Sequence, residues 1–389
     1  MKVQDYLRAN GLEKLQEEFS IVVTDYPDRI VLNYDQIKSP RFQPICDECR
    51  ALILRKSSYA VLSRAFDRFY NVGEGTGWQD FPVYKARFDE KLDGSLLSVY
   101  NDDNEWCVST RKMAFAEGTT NLGSTFRQVF DRAEEKTKLF EVLEHHQKHD
   151  SSPISVADYT WIFELTSPET RIVTPYEETS ITLIGARIKE SGFEIKGEDL
   201  DAWAKEFECK RPKAYQFHSL DQVTEAAGKL DVMEEGFVLV VEREGSFWRL
   251  KCKNEKFVAI AHMRDNGGIS PKRIMTLLIN NEKAEYLSYF PEDEKYFNFL
   301  EDIYQESVDR IKKIYKDAKS IEEQKEFALT IIPQTKYSHE RGVLFNMRKG
   351  EDLYKILKNM GGKRISLALG LREKFKREFG VENEDEKKD

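Results

Sequence analysis

Lys91 stands in FDEKLDGSLLSVY, where a K-x-D-G tetrapeptide lies between two apolar runs. A lysine amine that has lost its proton can attack phosphorus and hold the transferred group as a phosphoramidate. That chemistry makes demands on the rest of the chain. The site must depress the lysine pKa through burial or neighbouring cations. It also needs cations for phosphate oxygens, carboxylates for a divalent metal or ribose hydroxyls, and a β scaffold to hold them. The plainer reading is a hairpin turn, with Gly94 supplying φ > 0 and Lys91 solvated. Alone the tetrapeptide decides little, since roughly one chain of this size in ten would contain it.

Three downstream stretches supply the missing types. In TWIFELTSPETRIV, Glu164 interrupts an apolar strand, where a carboxylate is costly unless it has partners. In EEGFVLVV, Glu235 stands just before a glycine and another apolar strand. In RLKCKN, Lys251 and Lys253 are two apart on a strand, so both ammonium groups share one face. Like charges so placed favour an anion between them, and a polyphosphate is such an anion. Each feature taken singly also reads as ordinary strand-edge charge.

The elements that must position these groups are β-rich up to Arg264, Asp265, Asn266, Gly267 and Gly268. SLLSVYNDDNEWCVSTR reads as two strands joined at residues 101–104. TWIFEL, SITLIGARI and GFVLVVEREGSFWRLKCK add strands, the last a hairpin turning at Glu244 and Gly245, and DLDAWAKEFE is a helix. After Gly268 the pattern turns helical. SPKRIMTLLI carries Ser270 as N-cap and Pro271 at the first helical position. Phe297, Leu300, Tyr304, Val308, Ile311 and Tyr315 make one apolar helical stripe. Further helical runs are expected over 322–330, 350–360 and 365–379. The expected class is α+β, with an antiparallel-sheet domain over 1–265, an all-helical domain over 266–380 and an acidic flexible tail over 381–389.

Composition bounds the setting. The 389 residues are 40% hydrophobic and 33% charged, which is ordinary for a globular chain with ample core. No apolar run approaches the ~20 residues that cross a bilayer, and the N-terminus lacks a signal core. A soluble cytoplasmic protein with no membrane association is expected. The five cysteines form no framework, so Cys46 and Cys49 read as reduced thiols rather than a metal or redox pair. The net charge of −9 is uneven: residues 266–389 carry 24 Lys/Arg and 23 Asp/Glu, leaving 36 and 46 for residues 1–265. A polyanion site in the first part must therefore be a local cluster. His262, beside an apolar run, reads as structural rather than catalytic.

The order K-x-D-G, strand glutamate, E-G-hydrophobic, K-x-K resembles the covalent nucleotidyltransferase superfamily of ATP-dependent ligases and capping enzymes, with its ATP-grasp-like ligase domain. Within it, YDQIKSPRFQPICDECRALIL, SRAFDRFYNV, EKLDGSLLSVY, FELTSPETRIVTPYEE, EEGFVLV and LKCK resemble the phage RNA ligase 1 family of the T-even bacteriophage type, over roughly residues 30–260. The resemblance implies that Lys91 takes AMP from ATP and that Asp93 and Gly94 complete its loop. It implies catalytic or nucleotide-contacting roles for Glu164, Lys251 and Lys253, with Lys253 neutralising the α-phosphate. Tyr34 and Arg50 match nucleotide-contacting positions, and Val238 one apolar face of the adenine slot. Arg68 stands where the T-even protein has lysine, which keeps the charge and alters the donor geometry. Glu235 matches a position near the divalent metal, Mg²⁺ or Mn²⁺, and Glu285, at the end of a SPKRIMTLLINNEKAEY helix, matches a further acidic position loosely.

The activity so implied is ATP-dependent ligation of single-stranded RNA 5′-phosphate and 3′-OH ends by a monomer, with a nicked tRNA loop as one substrate. The expected location is the host cytoplasm if the chain is phage-encoded. A DNA ligase or capping enzyme would follow K-x-K with an OB barrel of short strands, whereas helices follow here. A non-catalytic RNA-binding relative would have lost the lysine or a carboxylate, and every core position is kept.

Overall fold

The computed structural model describes residues 1–120, 122–149, 151–243, 246–264 and 269–380. The expected turn at Glu244 and Gly245, most of the junction at 264–268 and the acidic ending at 381–389 lie outside the described residues. The chain divides into two units, Met1–Ile260 and Ala261–Asp389. No helix among the described residues is long and apolar enough to cross a membrane.

Among the described residues the first unit holds three sheets. β1 (Ile21–Asp25), β2 (Arg29–Tyr34), β3 (Leu52–Arg55) and β4 (Val61–Arg64) form one in sequence order. The others interleave β5 (Tyr70–Asn71), β6 (Arg87–Glu90), β7 (Ser95–Asp102), β8 (Glu105–Thr110), β9 (Tyr159–Thr166), β10 (Ser180–Ile188), β11 (Ala214–Tyr215), β12 (Gly236–Arg243) and β13 (Ser246–Lys253). The second sheet runs β10-β9-β7-β8 and the third β11-β6-β12-β13-β5. All pairings are antiparallel except the short β13 and β5 contact.

β9 shows why the sequence folds this way. Its odd residues Trp161, Phe163 and Leu165 enter a core that also takes Leu97, Val99, Phe130, Leu143 and Phe207 from β7 and covering helices. Each such fully buried Leu or Phe contributes roughly 1.5–3 kcal/mol. The even residues Ile162 and Glu164 point to the other face, where Ile162 meets Ala51, Ala65 and Phe66. Strand alternation thus presents Glu164 on the face opposite the packed core.

The second unit is helical. Phe297, Leu300, Val308 and Ile311 of the stripe are buried along the Glu294–Ala318 helix, Tyr304 and Tyr315 are half-buried, and Ile314 joins them. Three details differ from expectation. The stretch SPKRIMTLLINNEKAEY is two helices, Pro271–Ile279 and Lys283–Tyr289, because Asn281 takes a left-handed conformation at φ +60°. A helix at Ser338–Arg348 was not expected, and its first turn is capped by Glu340 from within rather than by a Ser or Thr ahead of it. Toward the end, the helices run Leu353–Ala368 and Leu371–Phe379, interrupted at Gly361 (φ +75°) and Gly370 (φ +60°).

Candidate active site

Residues 91–94 do not turn a hairpin. β6 belongs to the third sheet and β7 to the second, so the tetrapeptide carries the chain from one sheet to the other. Gly94 has no positive φ. What demands glycine there is proximity, since a Cβ would lie 2.5 Å from the Leu165 carbonyl oxygen and 3.0 Å from Glu164 Cγ. The Lys91 amide donates to the Gly236 carbonyl (2.9 Å), which ties the tetrapeptide to the start of β12. Gly236 adopts φ +137° and would press a Cβ into the Cys252 carbonyl, so the E-G pair too is fixed by backbone approach.

Asp93 is 4% exposed, and its Oδ2 accepts from the Val173 and Thr174 amides at 2.7 and 2.8 Å. Burial raises its pKa, with those two amides opposing the rise. The carboxylate expected in the catalytic set is thus occupied in docking the loop after β9 against the lysine segment.

Glu235 is the centre of the cluster. One oxygen accepts from Lys91 Nζ and the other from Lys253 Nζ, both at 2.8 Å, and Glu235 is 7% exposed. Register explains the placement: Gly236 pairs with Lys253 and Val238 with Lys251 across β12 and β13, so Val238 shares the lysine face. The expected depression of the Lys91 pKa is not seen. Burial does favour its neutral amine, but Glu235 and Glu164 outweigh burial and hold the pKa above the ordinary lysine value. The depressed lysine is Lys251, brought down to about 7 by burial and by Lys253, Arg50 and Lys91. Glu164 is pushed up to about 7 by burial, against the pull of Lys91. Glu235 stays below its ordinary value because the two ammonium groups overcome its own burial.

Cations surround this core. Burial, then Arg111, lowers the Arg50 pKa, and its guanidinium lies 5.5 Å from the Phe69 ring centre. Two guanidiniums lie over the Tyr34 ring, Arg68 at 4.1 Å and Arg111 at 4.7 Å. Arg111 was not anticipated; the only signal was a basic pair, Arg111 and Lys112, directly after a strand. Beyond Lys251 and Lys253 a cleft of about 570 Å³ opens, lined among others by Tyr34, Arg41, Arg68 and Glu74.

Lys91, Glu164, Glu235, Lys251, Lys253, Arg50, Arg68, Tyr34 and Val238 therefore all belong to the first unit and, through these contacts and pairings, to one neighbourhood. Glu285 belongs to the second unit, exposed in the first turn of the Lys283–Tyr289 helix. His262 is exposed, so its imidazole is not part of the core, while its carbonyl accepts from Arg273. Cys46 and Cys49 are fully buried free thiols, and burial pushes Cys46 up to about 11. Among the described residues no three His, Cys, Asp or Glu side chains converge to ligate an ion. So small a donor set suits only a hard cation that takes most of its ligands from phosphate and water.

The family model for RNA ligase matches residues 48–257. A protein of Autographa californica nuclear polyhedrosis virus, named as a bifunctional polynucleotide kinase/RNA ligase, is 31% identical over 308 residues, covering 75% of this chain and 42% of its own. This chain thus spans less than half of that relative. An RNA ligase of Rhodothermus phage RM378 is 26% identical over 329 residues, 70% of each chain. Among solved structures, an archaeal ATP-dependent RNA ligase is similar at 14% identity and a TM-score of 0.45, covering 81% of this chain and 83% of its own.

Proposed function

The chain belongs to the RNA ligase family, and from that membership we propose that it is an ATP-dependent RNA ligase working through an adenylate on Lys91. In the first transfer Lys91 Nζ, having lost its proton, bonds to the α-phosphorus of ATP. The α–β oxygen bond breaks and pyrophosphate leaves. In the second, an oxygen of an RNA 5′-phosphate bonds to the same phosphorus, and the P–N bond breaks as Lys91 regains a proton. In the third, an RNA 3′-OH attacks the 5′-phosphate of the RNA-adenylate, forming the phosphodiester and expelling AMP.

The observation that carries this reading is the pairing of Lys91 and Lys253 on one buried carboxylate, Glu235, with Lys251 beside them. Lys251 and Lys253 face phosphate oxygens and offset their charge as it shifts. Val238 lies against the base, and Tyr34, Arg50, Arg68 and Arg111 hold ribose and phosphate. Glu164, half neutral near pH 7, is suited to a ribose hydroxyl or the reacting phosphate. Asp93 acts by positioning the lysine segment. Mg²⁺ or Mn²⁺ held at Glu235 would supply positive charge to the phosphates.

Residues 1–265 would be the adenylyltransferase domain and 266–380 a helical domain serving substrate choice. Single-stranded RNA ends, a nicked tRNA loop among them, are the substrate class, acted on by a monomer in the cytoplasm of a host cell. Helices, not the strands of an OB barrel, follow β13, which favours this reading over DNA ligation or capping.

Incubation with α-labelled ATP and magnesium, beside GTP, tests the proposal. Wild-type protein should retain label after denaturation and Lys91→Ala should not. Equal labelling of the variant removes Lys91 as nucleophile, and preference for GTP points to capping. Failure to join or circularise 5′-phosphorylated single-stranded RNA removes the ligase reading.

A further inference from the structure

The cleft beyond Lys251 and Lys253 has a wall that the transfers above leave unused. Arg41 and Glu74 face each other there, Arg41 Nη1 to Glu74 Oε1 at 2.6 Å. The Arg41 side chain is 55% exposed. Glu74 is the better anchored partner, because its other oxygen accepts from the Asn71 amide (3.0 Å) and from Asn71 Nδ2 (2.8 Å). An ion pair this open contributes little to the fold, about 0–1 kcal/mol. A second group in the lining lacks a partner: Arg68 Nη1 is buried with no hydrogen-bond partner among the described residues. A buried guanidinium donor of that kind is costly unless something fills it.

Reaction geometry says what would fill it. In an in-line displacement the entering and leaving groups stand on opposite sides of phosphorus. Pyrophosphate leaves opposite Lys91 in the first transfer, and the RNA 5′-phosphate enters opposite Lys91 in the second. Both anions must therefore use the same side of the site. The cleft is lined by Lys253, which shares Glu235 with Lys91, and extends to Arg68 and Arg41, while Lys91 itself does not line it.

We propose that this cleft is the common seat of the leaving pyrophosphate and the incoming RNA 5′-phosphate, and that Arg41, parked on Glu74, is a phosphate-contacting residue of that seat. The proposal rests on the ligase reading for the identity of the two anions. Glu74 stands in for phosphate, and an arriving dianion draws Arg41 off it while satisfying Arg68 Nη1.

Direct binding decides the matter without turnover. Inorganic pyrophosphate is titrated calorimetrically into the full chain in magnesium buffer, and a single-stranded RNA is followed by anisotropy with a 5′-phosphate and with a 5′-OH. Arg41→Ala should weaken pyrophosphate and 5′-phosphorylated RNA about fivefold or more, and Arg41→Lys should restore most of that. Glu74→Gln, which removes the competing charge, should tighten both. The 5′-OH RNA should respond to none of these changes. Loss confined to one anion overturns the common seat. Wild-type affinities for both anions in Arg41→Ala, or an equal loss for the 5′-OH RNA, overturn the proposal. Should Arg41→Ala fail to fold, the direction of the Glu74→Gln change decides. Wild-type protein that takes no label from α-labelled ATP would sink the ligase reading separately, leaving the binding results to stand on their own.

Discussion

Lys91 Nζ donates to Glu235 Oε2 across 2.8 Å, so the candidate nucleophile is held as an ammonium by the carboxylate beside it. Burial pulls the Lys91 pKa down while Glu235 and Glu164 lift it, and the lift prevails. That contact keeps the amine guarded. The amine becomes nucleophilic only where the Glu235 charge is offset by other cations, and Lys253 already supplies part of that offset.

Glu235→Gln should move the Lys91 amine toward the value that burial dictates, which is lower. The sign is definite: removing the anion destabilises the ammonium and leaves the neutral form untouched. Acylation of Lys91 by an amine-reactive reagent, followed by mass spectrometry across a pH series, should show a midpoint at lower pH in Glu235→Gln than in wild type. Coincident midpoints would mean that Glu235 does not control this proton.

Lys251 titrates near neutrality, at about 7, because it is buried among Lys253, Arg50 and Lys91. A bound polyphosphate favours its ammonium and raises that value. Between the free and bound values the complex holds more protons than its components, so binding takes up protons there and weakens as pH rises above 7. Below that range both states are protonated and the dependence should flatten. Titration of pyrophosphate in two buffers of different ionisation heat reads the uptake directly. Lys251→Arg, charged throughout, should abolish it, and an unchanged uptake in that variant would remove Lys251 as its source.

Gly94→Ala should cost catalysis far more than stability. The added Cβ meets a backbone oxygen, at Leu165, which cannot swing aside as a side chain could. Relief requires residues 91–94 to back away from β9, carrying Lys91 with them. A displacement near 1 Å at a reacting group costs on the order of 100-fold in rate, whereas overpacking costs about 1–3 kcal/mol. Single-turnover transfer of labelled AMP, set beside a urea melt, separates the two. A variant that melts early yet labels at the wild-type rate would contradict this account of the glycine.

Particular residues show what could be read without coordinates. Glu164 was legible because a charge in an apolar strand has to be explained, and Lys251 with Lys253 because a period of two is visible in the chain itself. The path of residues 91–94 was not legible. Asp-Gly looks the same whether the next strand returns beside the last or joins another sheet, and that choice is made by β9 and β12, some 70 and 145 residues away. Arg41 and Arg111 were invisible for a related reason, since an arginine in a loop carries no local mark of what it will face. The sign of the Lys91 shift was missed because burial and neighbouring cations were weighed, while the decisive contribution comes from a carboxylate 144 residues downstream. In the helical unit, breaks at Asn281, Gly361 and Gly370 follow from positive φ that residue type hints at and only context fixes.

Glu340 gives that helical unit a pH-dependent anchor. The side chain is fully buried. One oxygen accepts from Ser307 Oγ (2.9 Å) and Arg310 Nε (3.0 Å), and the other from the Lys336 and Tyr337 amides (2.7 and 3.1 Å). Burial opposes its ionisation, but the Tyr337 amide, Arg310, the Lys336 amide and Ser307 prevail, and its pKa lies below the ordinary value. For a carboxyl whose folded pKa is depressed, the stabilisation is fully present above the unfolded value and disappears as pH falls through the folded one. Glu340→Gln has one oxygen to offer where four donors converge, and it turns an amide N–H toward the others. At pH 7 it should lower the opening free energy of the Glu294–Ala318 and Ser338–Arg348 helices by about 2–3 kcal/mol. In acid, where wild type protonates the same group and loses the same acceptors, the difference should shrink. Amide hydrogen exchange over those two helices, at neutral and acid pH, measures both quantities. A gap between wild type and Glu340→Gln that is as wide in acid as at pH 7 would show that shape, not charge, is what Glu340 contributes.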